Sequence, residues 1–410
     1  MRVLGMMSGT SLDAIDVALV EFTRDPADPS LLTARPLHLG EQPWPAATSA
    51  SLRAVLPPAP ADVATWSRLH AAVGDAFAAA ATAVLAEHGD ADLVATHGQT
   101  VYHDVQDGRT LSTLQIGDPS RLVEATGLPV IHDLRSADVA AGGQGAPLAP
   151  LLDQLLLGGD PEERTAVLNI GGISNVSLVG GGNGPGEVIA GDIGPGNALL
   201  DAAVHAATGR AADHDALIAR TGTVDRPALQ ALLADPFSAQ PLPRSTGREH
   251  YDGQYVRRLL GRDAADALAL PDLLATLTEL TAVTISQAIR ELGASRVVAS
   301  GGGIRNPLLR ERLAHHLGPV LLLDADELGI PADGKEALLI ALLGYLGAHG
   351  LPGTLAGPDG PAHTGARGPR VLGSLTPPRG LSALPHGPAD EVPVGRFEIV
   401  PDRSTRTTHR

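Results

Sequence analysis

The sequence predicts an α/β protein built from two related halves, and three observations predict it. Residues 3–7 and 15–22 are apolar stretches rich in Val, Ile and Leu on either side of the small polar turn SGTSLDA. The same order of apolar stretch, glycine turn and apolar stretch returns in TAVLNIGGISNVSLVGGG from residue 165, as a repeated unit would. Finally, strand-like runs alternate with long helical segments over 410 residues, ample for two domains at roughly 150 residues each.

Taken in order, the chain opens with a hairpin over 3–22. Residues 31–65 are Pro-rich and read as irregular. Trp66 to His88 is Ala-rich, poor in β-branched residues and stopped by Gly89, which predicts a long helix. DLVATH (92–97) reads as a buried strand running into HGQT, and LPVIHDLR (128–135) as another that opens into the glycine-rich loop AAGGQGAP. The second half repeats the hairpin. GEVIAGDIGPGN (186–197) then delivers Asp192 from a strand into a Gly/Pro turn, and a helix follows from Ala198 to about Ala207, closed by Gly209. Residues 272–292 carry Leu, Val and Ile at helical spacing. RVVASGGGIRNPLLRERLAHHLG (296–318) reads as strand, triple-glycine turn and helix, with Asn306 as N-cap and Pro307 at the first helical position. Lys335 to His349 is a further apolar helix. These readings predict one domain over 1–133, joined by 351–378, a second over 134–350, and a poorly ordered Pro-, Gly- and Arg-rich tail over 379–410.

Composition narrows the function. No apolar run reaches the roughly 18 residues of a membrane span, so a soluble chain is expected. A formal charge of −16, no basic run and 2% aromatics argue against nucleic acid or an anionic membrane as partner. Zero cysteines exclude disulfides, thiol nucleophiles and thiolate metal sites. The N-terminal stretch lacks the apolar core of a signal peptide, which makes the cytoplasm the default expectation. Lys335 is the single lysine among 30 basic residues, which reflects either chance or a site that needs a compact point charge.

Four glycine-rich turns end predicted strands: Gly9 to Asp13, Gly171 to Asn175, Gly194 to Asn197 and Gly301 to Asn306. Glycine lets backbone amides approach an anion closely, so several such turns would cradle a polyphosphate on an acidic protein, although each alone also serves as an ordinary turn. GIPADGKE (329–336) imitates a phosphate loop but ends in Glu336 where a magnesium-binding hydroxyl belongs, and Pro331 removes an amide. That motif is rejected. Asp192 is the candidate catalytic acid or base, with a capping aspartate as the alternative. Asp13 would suit magnesium, directly or through water, or else forms an Asx turn. His97 and Gln99 suit sugar hydroxyls, with a backbone-bonded histidine as the alternative, and Arg135 after Asp133 suits a carboxylate or a neighbouring acid.

The ordered motifs MSGTSLDAIDVALV, ATHGQTVYH, LQIGDPSRL, HDLRSADVAAGGQGAPLAP, LNIGGISN, GDIGPGNALLD, ASGGGIRNPLL, DGKEALLIALLGYL and HTGARGPRVLG resemble those of the anhydro-N-acetylmuramic acid kinases, from residue 3 to about 375. That family belongs to the sugar kinase, heat-shock chaperone and actin superfamily. The resemblance implies two ribonuclease-H-like (actin-like ATPase) domains with mixed sheets flanked by helices and ATP in the cleft between them. It implies phosphorylation of 1,6-anhydro-N-acetylmuramic acid on its 6-oxygen, coupled to hydrolytic opening of the anhydro ring, in peptidoglycan recycling. By the same resemblance the cofactors are ATP and Mg2+, and the chain forms a homodimer. Asp192 matches the catalytic aspartate as base for the attacking water, and Glu336 matches a glutamate near the sugar. The ATP stretch falls on Gly9, Thr10, Ser11, Leu12, Asp13, Ala14, Ile15 and Asp16, with Gly171, Gly172, Gly194, Gly301, Gly302, Gly303 and Asn306 lining the nucleotide. The sugar side takes His97, Gln99, Asp133, Arg135 and Asn169, with Arg135 meeting the lactyl carboxylate. Two residues depart from the family pattern. Ala14 stands where Gly is usual, adding a methyl beside the phosphate turn, and Leu134 replaces a Phe of the substrate wall. The alternatives are a related anhydrosugar kinase, such as one acting on levoglucosan, and a non-catalytic, nucleotide-switched actin-like protein.

Overall fold

The computed structural model describes residues 1–9, 12–56, 59–106, 108–159, 163–181, 189–242, 244, 246, 250–328, 334–355, 360–378 and 394–400. In chain order the elements begin β1 (Arg2–Ser8), β2 (Ala14–Arg24), β3 (Leu31–Pro43), α1 (Ala46–Val55), α2 (Val63–His88), β4 (Leu93–Gln106) and β5 (Arg109–Ile116). There follow α3 (Pro119–Thr126), β6 (Val130–His132), α4 (Ser136–Ala140), α5 (Ala149–Leu157), β7 (Arg164–Ile170), β8 (Ile173–Gly180) and β9 (Ile189–Pro195). Next are α6 (Ala198–Thr208), α7 (Arg226–Leu233), α8 (Tyr255–Leu260), α9 (Arg262–Ala267), α10 (Leu270–Glu291), β10 (Arg296–Ser300), α11 (Pro307–Leu317) and β11 (Leu321–Asp324). The chain closes with α12 (Lys335–Ala348), β12 (Ser374–Thr376) and β13 (Arg396–Ile399).

Two compact units result, Met1–Gly159 with Gly329–Arg410, and Asp160–Leu328. In the first, β1 pairs antiparallel with β2 and β2 with β3, whereas β4 runs parallel to β1 and β6 parallel to β4. In the second, β7, β8 and β9 form the antiparallel meander, β10 runs parallel to β7 and β11 parallel to β10. Renumbered from its first strand the second sheet reads 3-2-1-4-5, and the first sheet holds the same arrangement as β3-β2-β1-β4-β6, with β13 and β12 added at its edges and β5 paired to β4 outside that order. This shared order is the ribonuclease-H-like arrangement, and it gives the repeated hairpin its structural meaning.

Each sheet is covered by helices whose apolar stripes fit it. The long helix α2 is held at its start by the Asp62 carboxylate, which accepts from Thr65 N, and it buries Leu69, Val73, Phe77 and Val84 against Leu4, Met6, Val17 and Val94. By length and composition α2 would cross a membrane, yet this side of it lies in the core. On the same sheet α12 packs against β1, β2 and β4, buried throughout from Ala337 to Leu346. Gly5 makes that approach possible, since a Cβ there would stand 2.3 Å from the Ala337 carbonyl oxygen and 2.4 Å from the Ala341 nitrogen. In the second unit α10 and α11 pack Ile285, Ile289, Leu309 and Leu313 against Leu168, Ile170, Ile193 and Val297.

Several sequence readings are corrected. The stretch 31–65 is not irregular throughout, because Leu31–Pro43 forms the third strand of the meander, and Pro36 is accommodated where the register with β2 shifts. The chain divides at 159/160 and 328/329 rather than near 133 and 350, because α4, α5 and α12 all belong with the first sheet. Within the tail, Arg396–Ile399 is an ordered strand parallel to β3, with Phe397 buried beside Phe22. The other tail residues, 379–393 and 401–410, lie outside the described residues.

Candidate active site

In the first unit the β1–β2 turn is tied down from two sides. The Gly9 carbonyl accepts from Leu12 N and from Gln99 Nε2 of β4, each at 3.2 Å. Arg53 of α1 donates to the Leu12 carbonyl at 2.7 Å and stands 3.8 Å from the Asp13 carboxylate. Leu12 takes the left-handed conformation (φ 56°) and is buried, a strained choice for a non-glycine residue of the kind that collects at binding turns. Ala14 is already in β2, outside the left-handed region, so its methyl causes no backbone strain there. Ile15 is buried in the core, and Asp16 sits half-buried opposite Met7 and Glu41. Thr10 and Ser11 lie outside the described residues.

Behind this turn, β4 and the loop after β6 assemble a polar cluster. The Nε of Arg135 donates to His97 Nε2 at 2.7 Å, and its Nη1 to the Gly145 carbonyl at 2.6 Å, leaving Nη2 without a partner among the described residues. His97 Nδ1 then donates to the Gly98 carbonyl, 3.2 Å away. Burial, reinforced by the Arg135 charge, brings the His97 pKa down to about 3. Gln99 is fully buried, with Nε2 engaged by Gly9 and Thr100 and Oε1 without a partner among the described residues. Asp133 is held left-handed (φ 53°), and its carboxylate accepts from Ser136 N at 3.3 Å.

Glu336 projects from the first turn of α12, reaches solvent, and interacts electrostatically with Arg135. Its pKa is raised by the surrounding protein, against the lowering effect of Arg135 and Lys335. Lys335 itself pairs with Asp153 of α5 at 2.6 Å, a carboxylate only 3% exposed. The lone lysine is thus an anchor between α12 and α5.

The second unit gathers the other glycine turns. Gly171 and Gly172 carbonyls accept from Asn197, Gly196 and Ala198 amides, which stacks the β7–β8 turn on the start of α6. Gly301 is left-handed (φ 87°), and a Cβ there would lie 2.5 Å from Asn169 Oδ1, so Asn169 stands beside the triple-glycine turn. Gly302 faces the Asn197 side chain, Gly303 packs on Ile170, and Gly194 packs on Thr284. Asn306 caps α11 by accepting from Leu308 and Leu309 amides, each at 3.1 Å. A cavity of about 340 Å³ opens beside them, lined by Asn197, Asp201, Asp213, Asp215, Gly302 and Arg305 among others. Asp192 does not end a strand as its sequence context suggests: it lies in the middle of β9, which runs on through Gly194 and Pro195, and its Oδ2 accepts from Thr246 N at 2.8 Å.

Sequence reasoning missed several of the residues that hold these groups. Asp138 is fully buried and accepts from Gly145 N and Thr364 Oγ1, joining the loop that positions Arg135 to the 362–366 turn. Arg53, Arg244 and Thr246 also went unread. Among the described residues no group of three or more His, Asp or Glu side chains is arranged to hold a metal ion.

The anhydro-N-acetylmuramic acid kinase family model matches residues 1–378. The chain belongs to the anhydro-N-acetylmuramic acid kinase family. It is 47% identical over 390 residues to the anhydro-N-acetylmuramic acid kinase of Streptomyces avermitilis, covering 94% of this chain and 97% of the relative. Similarity to the Rhodococcus erythropolis kinase of that name is 44% identity over 95% of this chain and 98% of the relative. Among solved structures, a putative N-acetylmannosamine kinase from Listeria monocytogenes aligns at 14% identity over 83% of this chain and 99% of its own, with a TM-score of 0.35. As a member of this kinase family the chain is an ATP-dependent sugar kinase. The residues after 378, β13 included, lie beyond the family match.

Proposed function

We propose that the chain phosphorylates 1,6-anhydro-N-acetylmuramic acid on its 6-oxygen while water opens the anhydro ring, giving N-acetylmuramic acid 6-phosphate. The observation that carries this reading is Arg135, whose guanidinium is fixed by His97 and Gly145 with one nitrogen left for a ligand. A guanidinium so held suits the lactyl carboxylate that distinguishes the muramic sugar from levoglucosan. Neutral His97 and the Glu336 carboxyl, both within the field of Arg135, suit the sugar hydroxyls.

Asp192 is the base in this reading. It takes a proton from water as the water oxygen bonds to the anomeric carbon, and the bond from that carbon to the bridging 6-oxygen breaks. The released electron pair forms the new bond to the γ-phosphorus, and the bond from that phosphorus to the ADP oxygen breaks. Family membership supports this role. In this reading the glycine turns of the second unit, at 171–172 and 301–303, serve the phosphates, the cavity beside Gly302 and Asn306 takes the nucleoside, and the family's ATP stretch over 9–16 serves the phosphates from the first unit. Magnesium would neutralise phosphate charge. Asp13, with its side chain 79% exposed, suits an ion held mainly by phosphates and water. Action in the cytoplasm, on sugar recovered from the cell wall and as a homodimer, is part of the same proposal and rests on the family alone.

The test compares ATP-dependent turnover of 1,6-anhydro-N-acetylmuramic acid and levoglucosan by the wild type and Arg135→Ala. The reading predicts strong preference for the muramic sugar, and a KM for it that rises roughly 10-fold or more when the charge-assisted pair is lost. Equal use of both sugars, unaffected by the substitution, would move the assignment to a general anhydrosugar kinase.

A further inference from the structure

Asp192 is held by a segment that is distant in sequence. Its backbone N–H donates to the Arg244 carbonyl at 2.9 Å, and its own carbonyl accepts from Arg244 Nε at 3.0 Å. Arg244 Nη2 donates to the Ile193 carbonyl at 3.1 Å, and Nη1 to the carbonyls of Ser238 and Gln240. The guanidinium lies over the Phe237 ring, 4.9 Å from its centroid. Gly191 is required for this approach, because a Cβ there would stand 2.8 Å from the Arg244 carbonyl oxygen. Two residues on, Thr246 N donates to Asp192 Oδ2 at 2.8 Å.

The segment is anchored independently of Asp192. Asp235, 4% exposed, accepts from Phe237 N at 3.0 Å, from His250 Nε2 at 2.7 Å and from the Tyr255 hydroxyl at 2.9 Å. One buried carboxylate therefore pins the segment near both ends, at Phe237 and His250. Between these points, Arg244 grips the middle of β9 through three backbone contacts, and the Thr246 amide bonds a carboxylate oxygen of Asp192.

We infer that Arg244 and the Thr246 amide are positioning groups for the catalytic carboxylate, braced by Asp235, and that they hold Asp192 in the orientation from which it takes its proton. The inference rests on Asp192 acting as the base. An N–H bond to a carboxylate stabilises its charged form and fixes its orientation. Arg244 and the Tyr251 hydroxyl face Asp192 from the brace and the turn after it. β8 presents Asn175, α10 packs Thr284 against Gly194, and the 236–239 turn offers Phe237 and Ser238, none of them ionisable.

The experiment uses the full chain with Mg-ATP and the anhydromuramic sugar, and measures kcat, both KM values and the pH dependence of kcat/KM. Thr246→Pro removes the amide hydrogen, and Thr246→Ala keeps it. Thr246→Pro should lower kcat roughly 10- to 100-fold, far more than Thr246→Ala, with KM for ATP little changed. Its acid limb should move to higher pH, because the charged carboxylate has lost a donor. Arg244→Ala should lower kcat in the same way and regain part of it on addition of free guanidinium, with Arg244→Lys intermediate. Equal losses for Thr246→Pro and Thr246→Ala, or an acid limb unmoved in a folded Thr246→Pro, would overturn the inference. Asp192→Asn separates the two readings. Full activity in Asp192→Asn would remove the base assignment itself, whereas its inactivity beside unmoved Arg244 and Thr246 variants would remove only the positioning role.

Discussion

Arg135 Nε donates to His97 Nε2 at 2.7 Å, so the imidazole nitrogen that would take a second proton is already occupied as an acceptor. With its pKa brought down to about 3, His97 stays neutral in the folded protein and would titrate near 6.5 when unfolded. Between those values the unfolded chain binds the extra proton and the folded one does not. Stability therefore falls as pH drops from about 6.5 toward 3. Chemical denaturation from pH 7 to 4.5 should show this loss in the wild type and a shallower one in His97→Gln. Parallel curves for the two proteins would contradict the assignment of a buried neutral histidine.

Gly5 and α12 are too close for any side chain, since the backbone of Ala337 and Ala341 occupies the place of a Cβ. Gly5→Ala should destabilise the first unit by about 1–3 kcal/mol, because the neighbours are backbone atoms that move only with the helix. The same displacement carries Glu336, at the helix start, away from Arg135. Thermal melts should show a lowered Tm and kinetics a raised KM for the sugar, whereas a wild-type KM would show that α12 moves without affecting the sugar side.

The left-handed Gly301 stands against Asn169 and the Ile170 carbonyl, with no room for a methyl group. Gly301→Ala should raise the KM for ATP several-fold or more while leaving the sugar KM nearly unchanged, because both the strain and the crowding fall on the proposed nucleotide turns. An unchanged KM for ATP, measured on a folded variant, would separate the triple-glycine turn from nucleotide binding.

The strand β13 covers the free edge of β3 and buries Phe397 beside Phe22. Truncation after residue 378 should remove roughly 1.5–3 kcal/mol of apolar burial and expose the β3 edge. The truncated chain should melt earlier and associate more readily in sedimentation, yet keep its kcat, since the family match ends at the same place. A wild-type Tm after truncation would show that β13 contributes nothing to the sheet.

The features legible in the sequence are those set by neighbours along the chain. Asn306 followed by Pro307 announces the start of α11, and Gly209, left-handed at φ 71°, closes α6 as expected. The two hairpins were visible because both strands of each are apolar and close together. β3 was not, because its prolines and Gly40 mask strand character that only the pairing with β2 reveals. The hold on Asp192 was the least legible, since it spans more than 50 residues and uses the Thr246 amide, a donor that every residue except proline offers. The buried Asp138 that organises the Arg135 loop depends likewise on Thr364, 226 residues away.

The most direct test of the proposed chemistry is mass spectrometry of the products formed from Mg-ATP and 1,6-anhydro-N-acetylmuramic acid in heavy-oxygen water, by the wild type and Asp192→Asn. Water attack at the anomeric carbon predicts one heavy oxygen in the sugar, an unlabelled phosphoryl group on its 6-oxygen, and loss of this product in Asp192→Asn. Heavy oxygen in the phosphate, or an unlabelled sugar phosphate formed equally well by Asp192→Asn, would contradict it.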